Sequence, residues 1–255
     1  NLESFIQANV DATIRLVEMA AESGVKNVVI LSSLAAVGPS NADADALTED
    51  SAMHPISRYG RSKMMMEQRL REHFEQSHSY PNLSIKILRP PAVYGPRETD
   101  IFGLFKALNM RIAPIIGPFQ QENLSLIHVK DLVEGICKSI KWTTPGIHTY
   151  FVGGEKDAYS WEQIFSTSAN ILGKSYLKIP IPTSLLFTVA RFSELTAPLL
   201  KRYPPLNVEK AQELSQNWVC SSDKARRDWG YSPSVNLEEG LTNTLSWYKK
   251  QGWLS

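Results

Sequence analysis

Residues 28–33 read Val-Val-Ile-Leu-Ser-Ser, and residues 59–63 read Tyr-Gly-Arg-Ser-Lys. The run at 28–31 is continuously apolar, which suits a strand buried on both faces, as in a parallel sheet. Ser32 and Ser33 follow where that strand would end. In open parallel sheets, ligands gather beyond the carboxyl ends of the strands. A serine hydroxyl there can donate to a carbonyl oxygen or accept from an alcohol. Residues 58–74 carry a helical pattern, and Tyr59 and Lys63 stand at i and i+4, so they share one helix face. An ammonium beside a phenol favours the phenolate and is expected to bring Tyr59 down from the ordinary value of about 10. That would make a usable acid or base near neutral pH. Ser33, Tyr59 and Lys63 are therefore expected to meet at one site.

The flanking chain extends the same alternation. Ile6, Val10, Ile14, Val17 and Ala21 recur at close to a 3.6-residue period, and Gly24 stands where a helix ends. Residues 40–55 are polar and read as a surface loop. Residues 85–88, flanked by Ser84 and alternating with Lys86, read as a strand that must leave the sheet at Pro90-Pro91, because proline cannot donate to a ladder. Residues 131–140 read as a helix with Asp131 as its N-cap. Residues 149–152 read as a further strand, closed by Gly153-Gly154. Strands alternating with helices predict an α/β fold with a mainly parallel sheet. Beyond about residue 155 the pattern changes to helical stretches at 160–172, 184–195 and 208–214, punctuated by prolines. Asn236 and Glu239 resemble a capping box opening a last helix that runs to about residue 248. The division expected is 1–155 and 156–255, with a soft, interleaved boundary.

Composition narrows the classes. The 255 residues are 43% hydrophobic and 21% charged, enough to bury a core. Lys plus Arg is 27 and Asp plus Glu is 26, a formal charge of +1, which removes the main electrostatic reason to expect a nucleic-acid partner. Cys137 and Cys220 cannot make a disulfide framework, and a reducing, cytoplasmic setting fits them. No run approaches the roughly 20 apolar residues of a membrane-spanning helix. Residues 184–200 carry Arg191 and Glu194 and read as a buried or amphipathic helix. The five histidines form no ligand pair of HxxxH type and the cysteines no CxxC, so no metal site is expected. His128 reads as a structural residue. Met64, Met65 and Met66 read as packing, with some of them facing a partner.

Five pieces together carry a family resemblance: residues 9–13 (Asn-Val-Asp-Ala-Thr), 29–33, 59–63, 88–96 (Leu-Arg-Pro-Pro-Ala-Val-Tyr-Gly-Pro) and 127–132 (Ile-His-Val-Lys-Asp-Leu). In order and spacing the chain resembles an extended short-chain dehydrogenase/reductase, the group of NAD-dependent epimerases and dehydratases. The resemblance implies a Rossmann-type doubly wound sheet with a small, mainly helical C-terminal substrate lobe. It implies an NAD- or NADP-dependent enzyme with Tyr59 as general acid/base, Lys63 lowering its pKa and holding the nicotinamide ribose, and Ser33 bonding the reacting oxygen. Asn9 would support the site through backbone and water contacts. Leu31, Ser32, Pro90 and Pro91 would border the cofactor, and Leu34, Ala92 and Val93 the substrate. A homodimer through helices 5–21 and 59–74 is implied as well.

The family's G-x-x-G-x-x-G turn, which brings a pyrophosphate to a helix N-terminus, does not occur in the 255 residues. By family comparison about four preceding strands are expected to be lacking, which would leave a partial sheet with an open edge at residues 28–31. Such a chain is expected to aggregate or to bind NAD(P) poorly. Nucleotide-sugar enzymes of the family commonly carry Asn where Ala92 stands and Arg where Leu124 stands. Without these groups a diphosphate is poorly held, although Arg97, Lys201 or Arg202 remain as possible phosphate ligands. The Arg-Pro-Pro and Tyr-Gly-Pro pattern is closer to the 3β-hydroxysteroid dehydrogenase and dihydroflavonol-reductase-like branch. The expected activity is oxidoreduction of an alcohol or ketone. The alternatives are a nucleotide-sugar epimerase or dehydratase and a non-catalytic dinucleotide sensor.

Overall fold

The structure is a computed structural model, and it describes residues 2–41, 46–76, 79–117, 123–200 and 206–254. Helix α1 (Leu2–Ile6) passes through a π-helical turn (Gln7–Asp11) into α2 (Ala12–Glu22). Strand β1 (Asn27–Leu31) leads to a 3₁₀ turn (Leu34–Ala36) and then to α3 (Arg58–Gln76). Strands β2 (Ser84–Arg89) and β3 (Ala92–Tyr94) flank the double proline. Helix α4 (Phe102–Asn109) and strands β4 (Ile112–Ile116), β5 (Asn123–Leu124) and β6 (Leu126–His128) precede α5 (Val129–Lys141) and β7 (Gly146–Phe151). Then come β8 (Tyr159–Ser160), α6 (Trp161–Leu172), β9 (Leu177–Ile181) and α7 (Thr183–Leu200). Helices α8 (Val208–Leu214), α9 (Asp223–Trp229) and α10 (Leu237–Lys250) finish the chain.

The parallel α/β reading holds. The main sheet has the order β1-β2-β7, with both pairs parallel. Parallel neighbours need a crossover, and α3 provides the one from β1 to β2. The central strand is β2, and all six of its residues are buried. Its alternation of polar and apolar residues therefore does not mean one wet face. Lys86 is fully buried and donates to Asn27 Oδ1 at 3.1 Å, and burial lowers its pKa. The open edge expected at residues 28–31 is present. Among the described residues β1 pairs only with β2, and within it Ile30 alone is buried.

One layer packs Val10 and Val17 against Met66 and Leu70 of α3 and against Ile85 and Ile87 of β2. Met66 is thus a core residue, not a partner contact. On the other side Tyr94 and Leu126 share a core with Tyr159, Phe165, Leu241 and Tyr248, so residues on both sides of 155 are interleaved. Helix α7 is amphipathic: Leu186 and Ala190 pack with Ala211 of α8, while Phe192 and Leu195 are exposed. No helix among the described residues is long and apolar enough to cross a membrane.

The reading of Asp131 as an N-cap is also corrected. Helix α5 starts earlier, and its N-cap is His128, which accepts from the Lys130 N–H. Asp131 sits inside the first turn and reaches across the fold. Its carboxylate accepts from the Ser234 N–H at 2.8 Å and from the Val235 N–H at 3.2 Å. The competing sink for its lone pairs was a loop far away in sequence. At the last helix, Asn236 Oδ1 does accept from the Glu239 N–H at 2.9 Å. Helices α4 and α9 and strands β4 and β9 went unread from the sequence. The β4–β9 pair is parallel, and Pro114 and Pro180 lie inside its strands, where proline argued against a strand.

Candidate active site

Three segments converge at the carboxyl end of β1. Ser33 is extended and caps the 3₁₀ turn, its Oγ accepting from the Ala35 N–H at 3.1 Å. That turn is pinned to the exit of β2, because the Leu34 N–H donates to the Pro90 carbonyl at 2.9 Å. At the start of α3, Ser57 Oγ accepts from the Gly60 N–H at 3.2 Å, in the manner of an N-cap. Gly60 lets this helix lie directly on the turn: a Cβ built there would stand 2.2 Å from the Ala35 carbonyl oxygen. Tyr59 is thereby brought beside Ser33, and both side chains line one cavity.

The electrostatics differ from the expectation. Lys63 does not bring the Tyr59 phenol down. Its Nζ donates to the Leu31 carbonyl at 2.9 Å and stands 5.9 Å from the centre of the Tyr59 ring. Burial raises the Tyr59 pKa above its ordinary value, the neighbouring Ser33 hydroxyl offsets part of this, and the Glu213 carboxylate raises it further. Lys63 is itself lowered by desolvation and partly restored by Glu67. The helical spacing put both groups on one face, but the strand-end carbonyl captured the ammonium.

Asn9 lies in the π-helical turn, a form that often marks functional sites. Its Nδ2 donates to Ser62 Oγ at 3.0 Å, and Ser62 Oγ donates to the Tyr59 carbonyl at 2.7 Å. Its reach to Tyr59 thus runs through a side chain of α3.

A cavity of about 280 Å³ opens in front of Tyr59. Ser33, Leu34, Tyr59, Ala92 and Val93 line it, together with Pro91, which was expected to border the cofactor. Leu31, Ser32, Lys63, Pro90 and Asn9 do not. Leu31 is exposed and gives its carbonyl to Lys63. Ser32 is buried with its hydroxyl bound to Glu67, so only its main chain remains for a ligand. Pro90 is buried and contributes its carbonyl to the Leu34 N–H. The far wall holds Leu124, Trp161 and Trp218, together with the carboxylates of Glu98, Asp100 and Glu213. Sequence reasoning missed Glu213 because α8 reaches the cavity from more than a hundred residues away in the chain, and it missed Glu98 and Asp100 because no motif marks the loop after β3. Arg97 does not line the cavity, and Lys201 and Arg202 lie outside the described residues. Among the described residues no cluster suited to a metal ion occurs.

Lys63 also tests the fit to a dinucleotide. It is half-buried at the strand end, with one of its three donors on Leu31 and two left over, which suits a ribose diol. Together with the Tyr59 hydroxyl, these residues fit the nicotinamide-ribose end of such a cofactor.

Comparison with known proteins agrees with this geometry. Residues 1–153, more than half of the chain, match the NAD dependent epimerase/dehydratase family. A ceramide reductase of Caulobacter vibrioides is 28% identical over 255 residues, covering 99% of this chain and 71% of that protein. A decarboxylating sterol-4-alpha-carboxylate 3-dehydrogenase of Candida albicans is 24% identical, covering 96% of this chain and 72% of its own length. The crystal structure of gox2253 superposes with a TM-score of 0.75 at 25% identity, covering all of this chain and 76% of that one. The chain belongs to the NAD-dependent epimerase/dehydratase family, within the extended short-chain dehydrogenases/reductases, and is a Rossmann-type enzyme of that family.

Proposed function

We propose that the protein is an NAD(P)-dependent oxidoreductase that reduces a ketone on a weakly polar, uncharged substrate, or oxidises the matching alcohol. The observation that carries this reading is that Ser33 and Tyr59 share a cavity walled by Leu34, Ala92, Val93 and Leu124. The dinucleotide supplies or accepts the hydride. Ser33 and Tyr59 hold the substrate oxygen, and Tyr59 gives it a proton or takes one away. A phenol raised above its usual range is neutral at pH 7, which supports the proton-donor role and hence the reducing direction. Residues 1–155 supply the cofactor side in this reading, and residues 156–255 the substrate lobe.

The same wall argues against a sugar nucleotide. Glu98, Asp100 and Glu213 face the cavity, and Lys210, its only lining Lys or Arg among the described residues, lies 3.6 Å from Glu213. A diphosphate would meet like charge and lack the bidentate donors that usually hold it. Titration calorimetry with UDP-glucose is expected to give no binding in the micromolar range. Micromolar binding that is lost on Leu124→Asp would instead overturn this choice and favour the nucleotide-sugar epimerase or dehydratase reading.

A homodimer through the helices at 5–21 and 59–74 belongs to this proposal. Their apolar faces are spent on each other, so the contact would use the outer face, where Leu16 and Met19 are about two-thirds exposed. Sedimentation velocity should find a dimer that Leu16→Glu with Met19→Glu converts to a monomer. A wild-type monomer at tens of micromolar rules it out. Free thiols at the exposed Cys137 and the buried Cys220 support a reducing, cytoplasmic setting.

A further inference from the structure

Glu67 and Arg89 take no part in the proton transfer, yet they are the most deeply buried ion pair among the described residues, at 3% and 4% exposure. Arg89 Nη2 donates to Glu67 Oε2 at 2.7 Å, and its Nε reaches Oε1 and Oε2 at 3.0 and 3.2 Å. Ser32 Oγ donates to Glu67 Oε1 at 2.5 Å. One carboxylate thus joins three segments: the residue after β1, the middle of α3 and the last residue of β2. Each segment carries a neighbouring site residue. Ser33 follows Ser32, Lys63 precedes Glu67 by one helical turn, and Pro90-Pro91 follows Arg89.

Stability alone does not account for this arrangement. A buried ion pair is often no more stable than a well-packed apolar replacement. Arg89 Nη1 is also buried without a hydrogen-bond partner, a further cost. What the pair provides is registry. Two planar groups joined through several bonds tolerate little sliding of the helix along the strands.

We propose that Glu67 is a positioning residue of the active site, which with Ser32 and Arg89 fixes Ser33 against Tyr59 and keeps Lys63 at the Leu31 carbonyl. The inference rests on the oxidoreductase reading above. The groups facing Lys63 are Tyr59 and Glu67 on its own helix and the Leu31 carbonyl on β1, with Arg89 of β2 lying behind Glu67.

The test uses Glu67→Gln, and Glu67→Met with Arg89→Met as an apolar replacement. Two readouts are followed: steady-state kinetics of the complete enzyme, and the pH titration of the Lys63 Cε resonance in ¹³C-lysine protein, assigned with Lys63→Arg. Glu67→Gln is expected to lower kcat about tenfold or more with KM within about twofold, the scale of a displaced catalytic group. It should also lower the Lys63 pKa, because a negative neighbour is removed. The double variant should melt near the wild type yet keep the kcat loss. Wild-type kcat and an unmoved Lys63 titration in the folded double variant would overturn the proposal, leaving the pair a packing device. If Glu67→Gln does not fold, the double variant decides alone. Unchanged turnover in Tyr59→Phe would sink the oxidoreductase reading itself, while the Lys63 titration would still report on Glu67.

Discussion

Replacing Tyr59 by phenylalanine lowers turnover of the complete enzyme by about a hundredfold or more, the usual contribution of a positioned general acid or base. Only a hydroxyl is removed, and Tyr59 is 39% exposed, so the fold should change little. The ring keeps its edge contact with Phe5, whose centre lies 6.2 Å away. Substrate affinity should fall modestly, because Ser33 still offers one hydroxyl. The pH profile carries the second half of the prediction. The folded phenol titrates above its ordinary value, so it is protonated throughout the neutral range and is lost as a donor only at strongly alkaline pH. Wild-type reduction should therefore show no loss between about pH 7 and 9 assignable to Tyr59. Steady-state rates for both proteins across that range check the claim, and near-wild-type kcat in the variant would exclude the proton-transfer role.

That alkaline expectation reverses the one the sequence invites, and the reversal shows where local reading stops. The i, i+4 spacing correctly put Tyr59 and Lys63 on one helix face. Spacing is silent about what else competes for the ammonium, and the winner was a main-chain carbonyl 32 residues earlier. The strand-end serine and the double-proline exit were legible from local rules, whereas Leu34, Ala92 and Val93 came only from the family resemblance, which placed Pro91 beside the cofactor. Glu67 was not read from the sequence, and Arg89 entered only as part of the motif at the double proline. Their pairing needed the placement of α3 against β2. Glu213 and Trp218 were not legible at all, since they reach the cavity from a lobe whose packing no periodicity encodes.

β1 makes the same point from the other direction. Its apolar run suits an interior strand, and the open edge expected there is what the structure shows: among the described residues β1 pairs only with β2, and Leu31 is 42% exposed. Composition reports what a strand is suited to cover it, not what covers it. The Leu31 carbonyl at that edge is the acceptor that draws Lys63 away from the phenol.

Gly60→Ala is the smallest change expected to disrupt the whole arrangement. Glycine is needed here for close approach rather than for an unusual backbone angle, because the new Cβ would stand 2.2 Å from the Ala35 carbonyl oxygen and 3.1 Å from Pro55 Cβ. The oxygen belongs to main chain held in the 3₁₀ turn, and that turn is tied through Leu34 to Pro90, so it cannot swing aside like a side chain. The helix must back off instead. Relieving such overpacking costs about 1–3 kcal/mol of stability, partly offset because alanine favours a helix by about 1 kcal/mol over glycine. The functional effect should exceed the stability effect. Tyr59 precedes Gly60 directly and moves with it, and a shift of about 1 Å at a reacting group can cost a hundredfold in rate. The expected outcome is a folded protein with a slightly lower melting temperature, a kcat reduced about as far as in Tyr59→Phe, and a Tyr59 moved away from Ser33. Thermal melts and kinetics on the same preparation test this. Full turnover in Gly60→Ala would mean that the turn gives way rather than the helix, and that the position of Tyr59 is set elsewhere.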